Sequence, residues 1–471
     1  MFDIHPIMLP DSYKFSQWLQ YPKDLSYSFA YIESRGGMYD RTLFFGLQYI
    51  LKNYFERPIT SSDIDEAEIE AKLQGLPFNR SGWEYILSEH KGFMPVKIRA
   101  VKEGMVIPNH IPLVTIESTD ENVPWIVGWL EDILLQVWYP ITVASRAFKN
   151  KQTIWKYAQE TSDFPESIDW KLHDFGLRAS TSIESAMIGG AAHNTCFLGT
   201  DTVIANRLLR KFYKGGSGFL NGSVPATEHS TITSWGKENE KAAYENFLDV
   251  FLNPESKYKV DMASCVSDSY NIFNALENIW GDELKDKIIS YGGKLIVRPD
   301  SGDPLYSVLD CLSTLDSKFG SMENSKNFKV LNYTSVIQGD GVDDETIEEI
   351  LSYMKAKRFS TDNICFGMGG YLHQKLNRDT QKMAYKWSAI GLTDKEQIVP
   401  IGKSPIMDSG KTSKQGIVDS VFDEYGYRAI KQERNEISNN SILNVVYENG
   451  KVFSNESIFD IRNLVNQEIG V

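Results

Sequence analysis

The stretch KLIVRPDSGDP (residues 294–304) joins a short apolar run to a polar turn that contains Arg298 and Asp300. The helical pattern LYSVLDCLSTL follows it directly. An apolar run, a polar turn and a helix in this order predict a buried parallel strand with a crossover helix. The carboxyl ends of such strands meet on one face of the fold, where the polar turns after them can form a site.

The same order recurs from about residue 165 onward. The other strand ends are WKLHDFGLR (170–178), VPATEHS (224–230), VSDSY (266–270), SVIQGDGVD (335–343) and NICFGMGG (363–370). Six or more such units in about 210 residues favour a closed barrel over an open sheet. We therefore expect an α/β fold with an irregular (β/α) barrel over 161–380. A second, mixed α+β domain is expected from residues 1–160, completed by 381–471.

Elements outside the barrel are predicted from their own periodicity. Helical apolar spacing favours a helix at 43–55, and a start rich in serine and acidic residues favours another at 61–76. Alternating patterns predict strands at 97–101 and 112–118. An Asn-Gly pair within 444–453 indicates a hairpin.

The most membrane-like segment is WIVGWLEDILLQVWY (125–139). It is too short to span a bilayer, and Glu131 and Asp132 interrupt it. We interpret it as a buried or interfacial helix, with a partner-facing aromatic surface as the alternative.

The composition of the 471 residues is that of a compact soluble protein with a large core, since 42% are hydrophobic and 24% are charged. The formal net charge of −14 argues against nucleic acid or an anionic membrane as the main partner. The four cysteines form no C-x-x-C motif. This predicts neither a zinc site nor a disulfide framework and favours a cytoplasmic location. The N-terminal residues lack the apolar core of a signal peptide.

Two strand ends carry side chains suited to a ligand with a phosphate and a ring. Arg178 can bind a phosphate through its guanidinium fork and Phe175 can stack on a flat ring. A core phenylalanine beside a surface ion pair is the simpler interpretation of this pair. Arg298 and Asp300 follow a strongly apolar strand and are candidates for binding polar ligand groups, sugar hydroxyls or a hydrated divalent metal. Asp303, which precedes a proline, is typical of a helix start and is interpreted as structural.

Glycine turns follow two more strands. Gly339 with Asp340, and Gly369 with Gly370, stand where glycine lets backbone N–H groups approach an anion. A phosphate site after the last strands is a recurring feature of this barrel. The sequence contains no Walker loop, and no dinucleotide-binding fingerprint opens the chain.

A histidine and a carboxylate follow two further strand ends. His229, next to Glu228, and Asp268 together have the chemistry of a base, a metal ligand or a phosphoryl acceptor. A hydrogen-bonded structural histidine is an equally good interpretation.

The C-terminal part is locally basic in an acidic protein. This contrast favours an anion site, and a solvated face is the alternative. Lys403 and Lys411 lie in the segment 401–416, whose Gly, Ser and Lys content is typical of a mobile loop. The other basic residues of this part are Lys375, Arg378, Lys386 and Lys414.

Taken in order, these motifs closely resemble the nicotinamide phosphoribosyltransferases, which are type II phosphoribosyltransferases. The stretches that carry the resemblance are DSYK (11–14), FFGLQYIL (44–51), WYPITVA (138–144), KLHDFG (171–176), GTDT (199–202), SVPATEHSTI (223–232), SDSY (267–270), RPDSG (298–302), VIQGDGVD (336–343) and FGMGG (366–370). The resemblance implies transfer of a phosphoribosyl group from phosphoribosyl pyrophosphate to nicotinamide, with Mg²⁺, giving nicotinamide mononucleotide and pyrophosphate. It further implies stimulation by ATP through a phosphohistidine, and a homodimer whose two active sites lie at the subunit interface.

The resemblance also implies roles for residues around the base. Phe175 would stack on one face of the pyridine ring and Tyr13 of the partner subunit on the other. Asp201 would accept a hydrogen bond from the carboxamide. His229 would be the phosphoryl acceptor, oriented by Asp268.

The remaining implied contacts concern the ribose and the phosphates, and no direct Mg²⁺ ligand is assigned. Tyr371 stands where a third loop glycine is expected and would narrow the phosphate pocket. The ribose, the amide oxygen or the metal-bound ligand would contact Arg298, Asp300, Gly339 and Asp340, and Ser264 is a further substrate-binding residue. The 5′-phosphate would contact Arg178, Gly369 and Gly370, with Arg378 and Lys386 from the partner subunit, and pyrophosphate or nucleotide would contact Lys403 and Lys411.

Two alternatives remain open at this point. Nicotinate phosphoribosyltransferase shares the fold, but the carboxylate of Asp201 accepts a hydrogen bond from an amide and repels the carboxylate of nicotinate. A non-catalytic binding protein that kept the fold is the other alternative. The joint presence of His229, Asp268, Arg298, Asp300 and Asp340 argues against it.

Overall fold

The structure is a computed structural model that describes residues 4–393, 397–407 and 412–471. The chain divides into two compact units. The first unit comprises Met1–Ser145, Leu208–Gly216 and Leu376–Glu468, and the barrel unit comprises Arg146–Arg207, Ser217–Lys375 and Ile469–Val471. The domain boundaries expected from the sequence at 160/161 and 380/381 stay a prediction.

The secondary structure alternates along the chain. The strands are β1 (Leu25–Ser34), β2 (Arg41–Leu43), β3 (Val96–Ala100), β4 (Val106–Pro108), β5 (Pro112–Ser118), β6 (Leu172–Asp174), β7 (Met262–Val266), β8 (Lys294–Arg298), β9 (Ser321–Glu323), β10 (Lys329–Leu331), β11 (Thr334–Gln338), β12 (Ile364–Met368), β13 (Met383–Leu392), β14 (Val399–Pro400), β15 (Ile417–Asp423), β16 (Gly426–Gln432), β17 (Asn444–Glu448) and β18 (Lys451–Val452). The α-helices are α1 (Leu47–Ile50), α2 (Ser61–Leu73), α3 (Arg80–Glu89), α4 (Ile126–Trp129), α5 (Glu131–Leu135), α6 (Trp138–Thr161), α7 (Ile183–His193), α8 (Ala205–Phe212), α9 (His229–Thr233), α10 (Glu240–Phe251), α11 (Ile272–Asn274), α12 (Lys285–Tyr291), α13 (Pro304–Phe319), α14 (Asp344–Ala356), α15 (Gly370–Gln374) and α16 (Ile458–Ile469).

The barrel unit is built on a parallel sheet with the strand order β6-β12-β11-β8-β7. Isolated parallel bridges continue it, pairing Asp174 with Thr200, Gly199 with Gly222, and Ala226 with Ser264. Since the last bridge returns to β7, the strands and bridges form a closed ring. The predicted α/β barrel, and its irregularity, are confirmed.

One predicted strand end departs from the regular pattern. The VPATEHS segment contains no strand, and a single bridge at Ala226 represents it in the ring. Pro225 has no backbone N–H, so this segment lacks a donor for a continuous ladder. Its carbonyl instead accepts the N–H of Ser264 at 2.9 Å.

The barrel strands alternate between two environments. Leu295, Val297 and Val336 are fully buried on one side of the sheet. Their neighbours Ile296 and Ile337 point to the opposite side, because successive strand side chains alternate between the faces. This alternation leaves the inner face free to line a cavity.

The first unit contains an antiparallel sheet with the order β14-β13-β1-β5-β3-β17-β18. The strands predicted at 97–101 and 112–118 are its members β3 and β5. The predicted hairpin joins β17 to β18, and Asn449 and Gly450 have the positive φ angles of 48° and 94° that a tight hairpin turn requires.

Helices of the first unit follow the sequence signals with one difference. Helix α2 begins after Thr60, whose side chain forms a capping box with Asp63. The helix predicted at 43–55 begins only at Leu47 because Gly46 has a φ of 106°, and it ends in a π-helical turn over Leu51–Phe55.

The aromatic segment 125–139 forms α4, α5 and the start of α6. The rings of Trp125 and Trp129 pack edge-on against Trp83 at centroid distances of 5.1 Å. All three side chains are buried, which confirms the buried interpretation of this segment. Among the described residues, no helix combines the length and the apolar character needed to cross a membrane.

Candidate active site

The interior of the barrel holds a cavity of about 460 Å³. A volume of this order accommodates a small organic ligand. Alternate residues of the strands line it, as the period of two requires. They include Lys171 and His173, Met262 and Ser264, Lys294, Ile296 and Arg298, Ser335 and Ile337, and Cys365.

Phe175 stands at the carboxyl end of this interior, in the turn after β6. Its N–H donates to the carbonyl of Met368 at 3.0 Å, which ties the turn to β12. A Cβ atom on Gly367 would lie 2.0 Å from the ring, and one on Gly339 would lie 3.1 Å from it. The two glycines therefore create the space that the ring occupies, and the ring faces the cavity.

Arg298 ends β8 and pairs with Asp300 two residues later. Its Nε donates to Oδ1 of Asp300 at 3.0 Å, and its Nη2 lies 2.7 Å from Oδ2. The guanidinium carbon lies 5.9 Å from the centre of the Phe175 ring. The fork-shaped pair holds the guanidinium beside the ring, as bidentate geometry favours.

A second cavity, of about 410 Å³, begins where the first one ends. Phe175, Asp201 and Arg298 line both of them. The second cavity has a more polar set of lining residues than the first. These are Arg178, Thr202, Asp300, Gly339, Asp340, Gly369 and Gly370, with Leu177 and Ala179.

Asp201 lies at the junction of the two cavities. Its N–H donates to the carbonyl of Asp174 at 2.9 Å, so the backbone fixes its position. Its side chain is exposed and makes no hydrogen bond or ion pair with any residue that the structure describes. This leaves an acceptor free beside Phe175.

His229 is the first residue of α9, and it lies between two carboxylates. Its Nε2 is 2.9 Å from Oδ1 of Asp268, and its Nδ1 is 3.8 Å from Oδ2 of Asp300. The imidazole is 45% exposed, whereas the Asp268 side chain is only 5% exposed. Asp268 also accepts from the backbone N–H of Asp300 and from Ser301 Oγ. The pair therefore combines a fixed carboxylate with an accessible imidazole.

The structure thus brings one group of the sequence-predicted site residues together within the barrel unit. This group is Phe175, Arg178, Asp201, His229, Ser264, Asp268, Arg298, Asp300, Gly339, Asp340, Gly369 and Gly370. The roles given to them above stay predictions.

Other predicted site residues belong to the first unit. Tyr13 is exposed in a 3₁₀ helix over Ser12–Leu19. Lys386 lies on β13 and donates to the carbonyl of Tyr385, and burial lowers the pKa of its ammonium group. Arg378 and Lys403 are exposed. Lys411 lies outside the described residues, and the described part of the predicted loop 401–416 has no regular secondary structure.

Tyr371 lines a third cavity, of about 250 Å³, with the glycine turns and Lys375. Its ring lies against the guanidinium of Arg146, with 4.1 Å between the guanidinium carbon and the ring centre. Arg146 is fully buried and donates to the backbone carbonyls of Tyr371 and Lys375. The cation–π contact holds Tyr371 in the wall of this cavity.

Sequence reasoning missed the inner walls of the first cavity. Four of the missed residues each lie two positions from another lining residue or strand end. They are Lys171, Lys294, Ile296 and Ile337. The period of two around each polar turn was the signal that could have found them. Trp170 ends a 3₁₀ helix, and Ser223 and Val224 come from an irregular segment, so none of them carries this signal.

The sequence profile of the nicotinate phosphoribosyltransferase (NAPRTase) family matches residues 170–450. This range includes every sequence-predicted site residue that the barrel unit brings together, and it covers more than half of the chain. The chain belongs to this phosphoribosyltransferase family. The N-terminal domain profile of nicotinamide phosphoribosyltransferase matches residues 6–98 in addition.

Individual members of the phosphoribosyltransferase family match over almost the full length. A nicotinamide phosphoribosyltransferase of Xanthomonas campestris is 45% identical over 96% of both chains. Two solved structures share the fold. They are a nicotinate-nucleotide pyrophosphorylase of Pyrococcus furiosus (TM-score 0.60, 14% identity, 99% of this chain and 96% of that chain) and human nicotinic acid phosphoribosyltransferase (TM-score 0.54, 14% identity, 98% and 93%). The chain is therefore a phosphoribosyltransferase with the fold of the type II enzymes.

Proposed function

We propose that this phosphoribosyltransferase uses nicotinamide as its base and forms nicotinamide mononucleotide and pyrophosphate from phosphoribosyl pyrophosphate. The observation that carries the proposal is the free carboxylate of Asp201 at the junction of the two cavities. An amide NH₂ donates to such a carboxylate, while the carboxylate of nicotinate is repelled by it. The 45% identity to a nicotinamide phosphoribosyltransferase supports the same base.

The two cavities suit the two parts of the reaction. The pyridine ring lies against Phe175 in the barrel interior, and the phosphoribosyl group occupies the polar cavity near Arg178 and the Gly369–Gly370 turn. The ring nitrogen forms a bond to the anomeric carbon as the bond to pyrophosphate breaks. Arg298 and Asp300, held as a rigid pair, orient the ribose between the cavities. Catalysis then rests on positioning and charge stabilisation.

Mg²⁺ is part of this proposal, as a partner of the pyrophosphate. Among the described residues, no cluster of three or more His, Cys, Asp or Glu side chains is arranged as a metal site. Mg²⁺ commonly takes one or two carboxylates and completes its shell with substrate oxygens and water. Asp340 fits this use, because its exposed carboxylate has no hydrogen bond or ion pair with the described residues, whereas Arg298 occupies both oxygens of Asp300. Bound there, the ion would neutralise charge on the pyrophosphate.

ATP stimulation through His229 is the next part of the proposal. With the Nε2–H donated to Asp268, the lone pair of Nδ1 is free to attack the γ-phosphorus of ATP. An N–P bond forms, the bond to the β-phosphate oxygen breaks, and ADP leaves. The fixed Asp268 stabilises the positive charge that develops on the imidazole. The phosphohistidine adds negative charge beside Asp300, where it strengthens cation binding.

A homodimer with composite sites, located in the cytoplasm, completes the proposal. The exposed Tyr13 supports the first part, since a stacking aromatic in solvent is available to a second copy. The four cysteines are unpaired, as is usual in a reducing compartment. Subunits carrying Tyr13→Ala and Phe175→Ala, each weakly active alone, should regain activity when mixed, because one of the two sites in a heterodimer is then intact.

Product formation tests the proposed function. Phosphoribosyl pyrophosphate and Mg²⁺ are supplied with nicotinamide or nicotinate, each with and without ATP. We expect nicotinamide mononucleotide as the preferred product, in larger amount with ATP. Preferential turnover of nicotinate would contradict the assignment of the base and leave the family unchanged.

A further inference from the structure

A second histidine–aspartate contact lies beneath the turn that carries Phe175 and Arg178. His373 and Asp174 have 1% and 0% of their surface exposed. Nε2 of His373 lies 3.3 Å from Oδ2 of Asp174. Neither atom has a hydrogen-bond partner among the described residues, so each is the other's polar neighbour. When two such groups are buried together, removing one of them leaves the other without a compensating partner and destabilises the fold.

The electrostatics of Asp174 agree with this dependence. Burial alone would raise the pKa of its carboxyl group, since burial disfavours the charged form. The contact with His373 and the N–H of Gly176 outweigh burial, and the pKa of Asp174 lies below its ordinary value. Asp174 is therefore a carboxylate, stabilised from the side of α15.

The other nitrogen of His373 connects to the turn itself. Nδ1 lies 2.9 Å from Ser180 Oγ, and the Ser180 hydroxyl donates to the carbonyl of Gly176 at 3.1 Å. In this arrangement the hydroxyl hydrogen is already used, so Nδ1–H donates to Ser180. The imidazole therefore contacts both sides of the turn, through a hydrogen bond at Nδ1 and a 3.3 Å contact with Asp174 at Nε2.

The backbone around these residues belongs to the site. Asp174 Oδ1 accepts the N–H of Gly176 at 2.7 Å, and its carbonyl accepts the N–H of Asp201 at 2.9 Å. His373 lies in α15, which begins at Gly370. A Cβ on Gly176 would lie 2.7 Å from Nδ1, so the imidazole packs directly on the turn where a side chain would be. The imidazole thus connects the two segments that line the polar cavity, the turn after β6 and the Gly369–Gly370 turn at the start of α15.

We propose that His373 is a positioning residue, which fixes the Phe175–Arg178 turn relative to the Gly369–Gly370 turn and thereby sets the affinity for phosphoribosyl pyrophosphate. The inference rests on the proposed function only for the identity of the base. The hydrogen bond of His373 with Ser180 and its contact with Asp174 hold the phosphate-binding groups from opposite sides. The pyridine base contacts the barrel interior, where Phe175 is held separately by its own N–H bond to the carbonyl of Met368 and by the space at Gly367, so binding of the base depends less on His373.

Steady-state kinetics of three variants test the proposal. His373→Leu removes the hydrogen bond with Ser180 and the contact with Asp174, Ser180→Ala removes only the hydrogen bond, and His373→Gln keeps a donor near the Nε2 position. We expect the KM for phosphoribosyl pyrophosphate to rise at least about tenfold in His373→Leu and less in the other two, on the scale of a displaced positioning group. The KM for nicotinamide should change less than about twofold.

A matched control separates positioning from loss of any histidine. His90 also pairs with an aspartate, with 2.8 Å between its Nε2 and Oδ2 of Asp120, and it lies in the first unit. His90→Leu should leave the KM for phosphoribosyl pyrophosphate at its wild-type value. Ser180→Ala keeps the Asp174–His373 contact, so it remains informative if His373→Leu does not fold.

Calorimetric titration with phosphoribosyl pyrophosphate and Mg²⁺ alone makes the test independent of the base. If the wild type fails to use nicotinamide, the proposed function fails, and weaker binding by Ser180→Ala and His373→Gln still supports the role of His373. Unchanged affinity for phosphoribosyl pyrophosphate in both of these variants would overturn the role, as would an equal rise of both KM values.

Discussion

The pairs His229–Asp268 and His373–Asp174 use the same two side chains in different surroundings. In the first, the imidazole is 45% exposed and its Nδ1 lies 3.8 Å from its next polar neighbour, Asp300. In the second, both side chains are fully buried, Nδ1 is hydrogen-bonded to Ser180 and Nε2 faces Asp174. The difference teaches that exposure and a free nitrogen, more than the presence of the pair, mark a histidine suited to chemistry.

The largest expected difference between the two pairs is in covalent labelling by ATP. With ATP labelled at the γ-phosphate, the wild type should acquire an acid-labile phosphate, and His229→Ala should acquire none, because, of the two paired imidazoles, only that of His229 is exposed. His90→Ala, which removes another His–Asp pair, should be labelled like the wild type. Peptide mass spectrometry locates the phosphate. A phosphate on His373, or label retained by His229→Ala, would contradict the distinction between the two pairs.

For stability we expect the opposite order, with substitution of His373 having the larger effect and substitution of His229 the smaller one. His373→Leu leaves the buried carboxylate of Asp174 without its partner, which costs about 3–5 kcal/mol of unfolding free energy. His229→Ala removes a partly exposed pair and should cost about 0–1 kcal/mol. Urea denaturation at neutral pH measures both. Equal losses would show that burial does not separate the two pairs.

A third histidine extends the comparison to the pH dependence of stability. His193 is fully buried in the barrel unit, and its Nε2 lies 3.1 Å from the carbonyl of Gly199. Burial lowers its pKa from 6.5 to about 4. Between these values the folded state binds fewer protons than the unfolded state, so stability should fall as the pH falls from 6.5 to 4.

His193→Gln checks this pH dependence. The amide keeps a donor for Gly199 and has no proton to titrate. We expect the slope of unfolding free energy against pH in this window to decrease, because up to about one proton fewer is taken up on unfolding. An unchanged slope would mean that another group carries the acid sensitivity.

Much of the barrel and its site followed from the sequence, for a physical reason. Parallel strands place their carboxyl ends on one face, so Phe175, Arg298 and Gly339 could be grouped without knowing any contact. The strands themselves could be predicted from their apolar runs, because parallel strands covered on the outer side are buried and their sequences are nearly continuously apolar.

The contact between Asp174 and His373 was not predictable in this way. The two residues are nearly 200 positions apart, and the register that pairs Met368 with Asp174 decides their meeting. A helical histidine after a glycine turn carries no local signal for a buried carboxylate. The π-helical end of the helix at 43–55 was missed for a similar reason, since no local apolar spacing distinguishes it.

The discrimination between nicotinamide and nicotinate tests the central claim most directly. The ratio of kcat/KM for nicotinamide to kcat/KM for nicotinate is measured in the wild type and in Asp201→Asn, with phosphoribosyl pyrophosphate and Mg²⁺ held saturating. The account predicts a ratio well above one in the wild type and a fall of about tenfold or more in Asp201→Asn, because the amide no longer repels a carboxylate. A wild-type ratio below one, or a ratio that the substitution leaves unchanged, would contradict the role of Asp201 in selecting the base.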